Sequence, residues 1–176
     1  NPTIEPKREE AVDVQISIYD YNDEYYNEKK LATLEDCLEY KNSGHITWIN
    51  IDGLRKADVE KICTYYDIHP LVIEDILHIN QRVKLEQHGE FLFLVVKYPY
   101  MHQNKVLHDY ISILLFEDKL LTFSELNNRF IEDVISRVQN KQAKINLFSL
   151  VIKHLPFITL KLSSTKLSKS AFCCSR

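Results

Sequence analysis

The sequence predicts an α/β fold: a three-layer α/β/α sandwich with a mixed parallel and antiparallel sheet between helices. Two observations predict it. The runs FLFLVV (91–96) and ISILLF (111–116) are continuously apolar rather than alternating, so both faces of these strands need cover. Helical periodicity precedes this block and returns after it, which supplies a layer for each face. At 176 residues and 45% hydrophobic content, the chain can build one core without disulfide or metal staples.

Residues 1–11 are polar and charged and read as a flexible N-terminal segment with no signal peptide. Val12, Val14, Ile16 and Ile18 then alternate with Asp13, Gln15 and Ser17, the pattern of a half-buried strand. Thr33 followed three residues later by Asp36 predicts a capping box that opens a short helix, LEDCLEY. HITWINI (45–51) is rich in β-branched and aromatic residues and predicts a strand, with Trp48 filling core and Asp52-Gly53 turning the chain. Val59, Ile62, Cys63 and Tyr66 recur at helical spacing, giving a helix over 56–66. Pro70 suits the first turn of another helix, running to Ile79.

From there the period becomes two. RVKLEQ, a turn at His88-Gly89-Glu90, and FLFLVVKY predict a hairpin. VLHDYISILLF and LLTF follow as strands around an EDK turn. Ile131, Val134, Ile135 and Val138 mark a final helix, with Arg137, Lys141 and Lys144 toward its C-terminal end, where the dipole favours cations. The domain so defined covers 12–145. Residues 146–176 differ in kind: Lys153, Lys161, Lys166, Lys169 and Arg176 stand against no carboxylate, and LKLSSTKLSKSAFCCSR reads as a Ser/Lys-rich tail.

Composition removes several functions. A net charge of −3 argues against nucleic acid as a partner, which needs a clustered basic surface. The acids interleaved with Tyr19, Tyr21, Tyr25 and Tyr26 would repel a phosphate backbone too. Three glycines, Gly44, Gly53 and Gly89, are too scattered for a Walker loop, a dinucleotide fingerprint or a nucleophile elbow. No Cys-x-x-Cys occurs among Cys37, Cys63, Cys173 and Cys174, which points to a reducing compartment. INLFSLVIKHLPFITL (145–160) comes nearest to a membrane span, but Lys153 and His154 interrupt it and it falls short of ~20 apolar residues. The chain is expected to be soluble by itself.

One stretch stands apart. On a helix at ~100° per residue, Glu74, Asp75 and His78 of PLVIEDILHI share one stripe, and apolar residues cover the rest. The plainer reading is a solvated edge whose acids lie near the helix N-terminus. The other is a hard-cation site: Mg²⁺ takes oxygen ligands, keeps several waters, and binds through one or two carboxylates. Glu74 and Asp75 cannot complete such a site alone, so a second element or subunit must face them. His102 and His108 flank a turn without metal-ligand spacing.

TWINIDGL (47–54), IHPLVIEDIL (68–77), NQRVKLE (80–86) and FLFLVVKYPY (91–100), in this order and spacing, resemble the cytoplasmic domain of the CorA family of divalent-cation transporters. The resemblance runs over Val12 to Ile145. It implies a homopentameric Mg²⁺ channel that also passes Co²⁺ or Ni²⁺, sited in the cell (inner) membrane, with this domain cytoplasmic. It further implies that Glu74 and Asp75 contribute to regulatory Mg²⁺ sites between neighbouring subunits, where bound cation favours the closed pore. The same resemblance leaves open a zinc transporter of the superfamily, and a soluble metal-dependent hydrolase with Glu74 as base is a further alternative. No enzymatic activity is expected.

The chain also departs from that family. It carries no long stalk helix, no membrane helices and no Gly-Met-Asn pore motif, so a fragment unable to conduct ions is expected. The membrane would be reached only through C-terminal helices that the sequence lacks. The family's acid-bearing segment, which opposes Glu74 and Asp75, is not found after Ile145. Because carboxylates vanish, Ser and Lys accumulate and the resemblance stops there, the tail is expected to be an out-of-frame or artificially joined ending.

Overall fold

Strand β1 (Gln15–Tyr21) starts three residues later than its alternation does, because its partner runs out. That partner is β3 (Ile46–Asp52), whose ladder with β1 closes at Gln15↔Asp52. Gly53 then turns the chain at φ +83. Val14 still packs against the core, but Val12 points into solvent at 91% exposure, correcting its sequence assignment to the strand. The computed structural model describes residues 10–78, 82–125 and 135–136.

A short strand that the pattern does not announce, β2 (Tyr26–Lys29), folds back on β1 through Tyr21↔Tyr26. Asn22 makes that turn, its Oδ1 accepting from the backbone N–H groups of Glu24 and Tyr25 at 2.8 and 2.7 Å. The expected capping box opens α1 (Leu34–Glu39): Thr33 Oγ1 accepts from Asp36 N, and the Asp36 carboxylate accepts from Thr33 N. The Lys29 ammonium and that backbone N–H hold the Asp36 carboxyl down at about 2.

Helices α2 (Lys56–Tyr65) and α3 (Pro70–Leu77) follow, and then four antiparallel strands. These are β4 (Lys84–His88), β5 (Phe91–His102), β6 (Lys105–Leu115) and β7 (Lys119–Ser124). Their hairpin turns fall at Gly89 and Gln103-Asn104, where φ is positive, and at Phe116–Asp118. All seven strands form one sheet in the order β2-β1-β3-β7-β6-β5-β4. Among the described residues, only β3 and β7 run parallel; every other neighbour is antiparallel. The sheet is mixed, as the sequence predicts.

One face carries Ile16, Ile49, Ile51, Phe93, Val95, Leu121 and Phe123, and the three helices cover it with Cys37, Val59, Ile62, Val72 and Ile76. The opposite face gathers Tyr19, Trp48, Leu94, Ile111 and Ile113, also buried, and Ile135 packs against it. Residues 135–136 are helical; the rest of the helix expected over Ile131–Val138 lies outside the described residues. Burial on both faces is what the unbroken apolar runs of β5 and β6 require. Cys37 and Cys63 are free and buried among the described residues, and burial pushes both thiols up to about 12, too high to be nucleophiles.

Gly53 holds the β1–β3 corner closed. A Cβ there would sit 2.4 Å from the Asp13 carbonyl oxygen, on a left-handed backbone. Gly53→Ala is therefore expected to cost about 1–3 kcal/mol, as strained backbone at a fixed turn does. A chemical-denaturation midpoint equal to wild type would show that this corner yields freely.

Candidate functional site

Helix α3 begins where the backbone is forced out of α2. Asp67 takes φ 59, which short polar side chains tolerate, and His69 becomes the N-cap, its Nδ1 accepting from Leu71 N at 3.2 Å. Pro70 at N1 needs no N–H partner. Val72, Ile73 and Ile76 face the sheet. Glu74 is exposed and Asp75 half-exposed, so the two acids do lie on the outer edge of the helix.

Two details differ from the sequence reading. The helix ends at Leu77, and His78 is an extended C-cap (φ −78, ψ 134), so it leaves the stripe it shares on an ideal helix. The last turn closes three residues back instead, with His78 N–H donating to the Asp75 carbonyl at 3.2 Å. Leu71 is 62% exposed, so apolar cover does not extend around the whole helix. Ile79, the expected helix end, lies outside the described residues.

The site includes residues that sequence reasoning missed. Lys84, Glu86 and His88 alternate along β4 and pair with Val95, Phe93 and Phe91, which points them to the helix side of the sheet. The Lys84 ammonium donates to Asp75 Oδ2 and reaches Glu86 Oε2 at 3.3 Å. It also lies 4.9 Å from the centre of the Phe93 ring. Burial alone would lower the Lys84 pKa, but hydrogen bonds and charge from Asp75 and then Glu86 outweigh it and raise the pKa above the usual lysine value. His88 Nε2 stands 3.3 Å from Glu86 Oε2, and its ring stacks on Phe91. The available signal was the period-two row Lys84-Glu86-His88; no spacing rule connects it to Asp75.

Glu74 and Asp75 offer carboxylate oxygens, which suit a hard divalent cation. Among the described residues, no group of three or more His, Cys, Asp or Glu side chains could by itself hold a metal ion. Glu74 and Asp75 are thus a partial donor set, compatible with an ion that keeps waters or takes ligands from elsewhere. Among the described residues, two other polar clusters bond within the chain. Asp20 accepts from Thr47 Oγ1 at 2.9 Å and pairs with His45 Nδ1 at 2.8 Å. Trp48 Nε1 donates to Thr122 Oγ1, which donates to Asn50.

Comparison with known proteins places this fold. A family model described as CorA-like Mg²⁺ transporter protein matches residues 43–165. The cobalt/magnesium transport protein CorA of Thermotoga maritima is 32% identical over 152 residues, a match covering 79% of this chain and 42% of that protein. The chain therefore spans less than half the length of this curated relative. The solved soluble domain of CorA from Methanocaldococcus jannaschii superposes with a TM-score of 0.56 at 14% identity, covering 84% of this chain and 60% of that one. The ZntB cytoplasmic domain from Vibrio parahaemolyticus gives 0.62 at 14% identity, covering 89% and 67%. At such identities these two likenesses concern the fold. Among the described residues no helix is long and apolar enough to cross a membrane. The chain belongs to the CorA-like Mg²⁺ transporter family.

Proposed function

We propose that residues 12–145 form the cytoplasmic, divalent-cation-sensing regulatory domain of a CorA-type Mg²⁺/Co²⁺ channel, with Glu74 and Asp75 as its cation-facing acids. The observation that carries this reading is the display of both acids on the outer edge of α3, in a chain of this family. In the intact protein, five copies assemble in the cell membrane and neighbouring domains bring carboxylates face to face. When bound, Mg²⁺ supplies the positive charge such an interface lacks, which favours the closed pore. Co²⁺ and Ni²⁺ are further transported ions.

Glu74 and Asp75 contribute oxygen donors and negative charge, and a single chain has too few of either for tight binding. Adding millimolar Mg²⁺ to this chain is expected to raise its thermal stability slightly, by about 0.4 kcal/mol when Mg²⁺ equals its Kd. Glu74→Gln combined with Asp75→Asn should abolish that rise. Each protein is compared with itself with and without Mg²⁺, so any loss of baseline stability drops out. An undiminished response in the double variant would remove these residues from the site.

A further inference from the structure

Asp75 is a cation ligand in the reading above, and one cation already sits on it. The Lys84 ammonium bonds to Asp75 Oδ2 and keeps Glu86 Oε2 at 3.3 Å. We propose that Lys84 is a built-in competitor at this site: its ammonium holds the position of a divalent cation and must leave Asp75, falling back on Glu86, before such a cation binds.

Three features separate this arrangement from an ordinary surface ion pair. First, the cation is more buried than its anions. The Lys84 side chain is 20% exposed, against 37% for Asp75 and 46% for Glu86. Exposed pairs contribute little because two long side chains must be ordered in water; here the ladder bond to Val95 and the Phe93 ring already order the lysine. Second, the ammonium has two carboxylates within reach, on different elements, so it can release one without being left unpaired. Third, the carboxylates are the open side of the cluster, and a cation from solvent or from a neighbouring subunit meets them before it meets the lysine.

The chemistry makes the two occupants exclusive. An ammonium donates protons to the same oxygen lone pairs that a hard cation coordinates. A doubly charged ion and an ammonium on one carboxylate repel strongly at this separation. A site that is mostly held by its own lysine shows an apparent Kd equal to the intrinsic one divided by the fraction of molecules in which it is free. Lys84 therefore sets the cation concentration at which the site responds.

This inference rests on Asp75 being a cation ligand, and the test separates the two claims. Thermal unfolding of the whole chain is followed against MgCl₂ at constant ionic strength, for wild type, K84Q, K84M, D75N and D75N/K84Q. K84M retains the apolar stem over Phe93. Both Lys84 variants should reach half-response at roughly tenfold lower Mg²⁺, the change that goes with about 1.4 kcal/mol, and adding D75N should erase the gain. Unchanged half-response in K84Q and K84M, with a wild-type response that D75N removes, overturns the competitor and leaves the cation site standing. A wild-type response that survives D75N removes Asp75 from the site and overturns the proposal with it. A measurement on the unaltered chain covers variants that fold poorly: the ζ-ammonium NMR resonance of Lys84 should move over the same Mg²⁺ range. A resonance fixed throughout that range also overturns the proposal.

Discussion

Replacing Trp48 by alanine is expected to lower the unfolding free energy by about 3–5 kcal/mol, a large share of the stability of a domain this size. Trp48 is 1% exposed, at the centre of β3, on the sheet face away from α1, α2 and α3. Its ring lies 5.2 Å from that of Tyr19. Truncation would open a cavity between rigid strands, which cannot close around it as a loop could. It also removes the indole N–H that donates to Thr122 Oγ1 at 2.9 Å, and leaves a buried hydroxyl short of one partner. Trp48→Phe keeps most of the ring and removes only the donor, so it should cost about 1–3 kcal/mol. Urea titrations check both: the midpoint should fall while the slope stays the same. A loss below 1 kcal/mol for the alanine variant would mean that the indole does not organise this face.

The other large effect is functional and requires the full-length protein. In the proposed channel, Asp75→Lys is expected to keep transport low at Mg²⁺ concentrations where the unaltered protein would open. A like-charge carboxylate pair at ~4 Å costs up to about 4 kcal/mol at an effective dielectric near 20. Substituting a fixed positive charge for one member removes that cost whether or not Mg²⁺ is present, which shifts the open-to-closed ratio by as much as roughly a thousandfold. Glu86 remains to hold Lys84, so the new ammonium need not compete with it. Asp75→Asn is the control, because it removes the acid without adding a cation. Flux into vesicles, followed against internal Mg²⁺, decides the matter: inhibition by Mg²⁺ that is unchanged in the lysine variant counts decisively against gating through Asp75.

What could be read from the sequence was local. The Thr33–Asp36 box involves residues three apart, and both partners were named from spacing alone. The apolar runs of β5 and β6 carried their burial in their composition. Elements fixed by partners far along the chain were read less well. β2 has no apolar alternation to betray it, and exists because an Asn22 turn returns it to β1. β5 continues past Tyr98 to His102 even through Pro99, since β4 stops pairing at Val95 and leaves that edge free of the need for a donor. The acids at 74 and 75 were legible as an oddity in an oily helix, and the structure leaves them at its outer edge. Lys84 was not, because nine residues and a change of element separate it from Asp75, and only packing of α3 over the β4–β5 edge brings them together.

The parallel pairing of β3 with β7 has a consequence for how the protein is made. β3 pairs with β7, and Asn50 waits for Thr122, 72 residues later in the chain. At ~5–20 residues per second, a ribosome needs on the order of 4–14 s to deliver that partner. Throughout that interval β1–β3 can form while one side of β3 remains without its neighbour, and its apolar sequence ITWINI invites pairing with another nascent chain. Polysomes translating this domain thus carry many copies of an unfinished edge at high local concentration. Cellular yield should therefore depend more on the rate of elongation between residues 52 and 119, and on chaperones that shield β3 meanwhile, than on the stability of the finished fold.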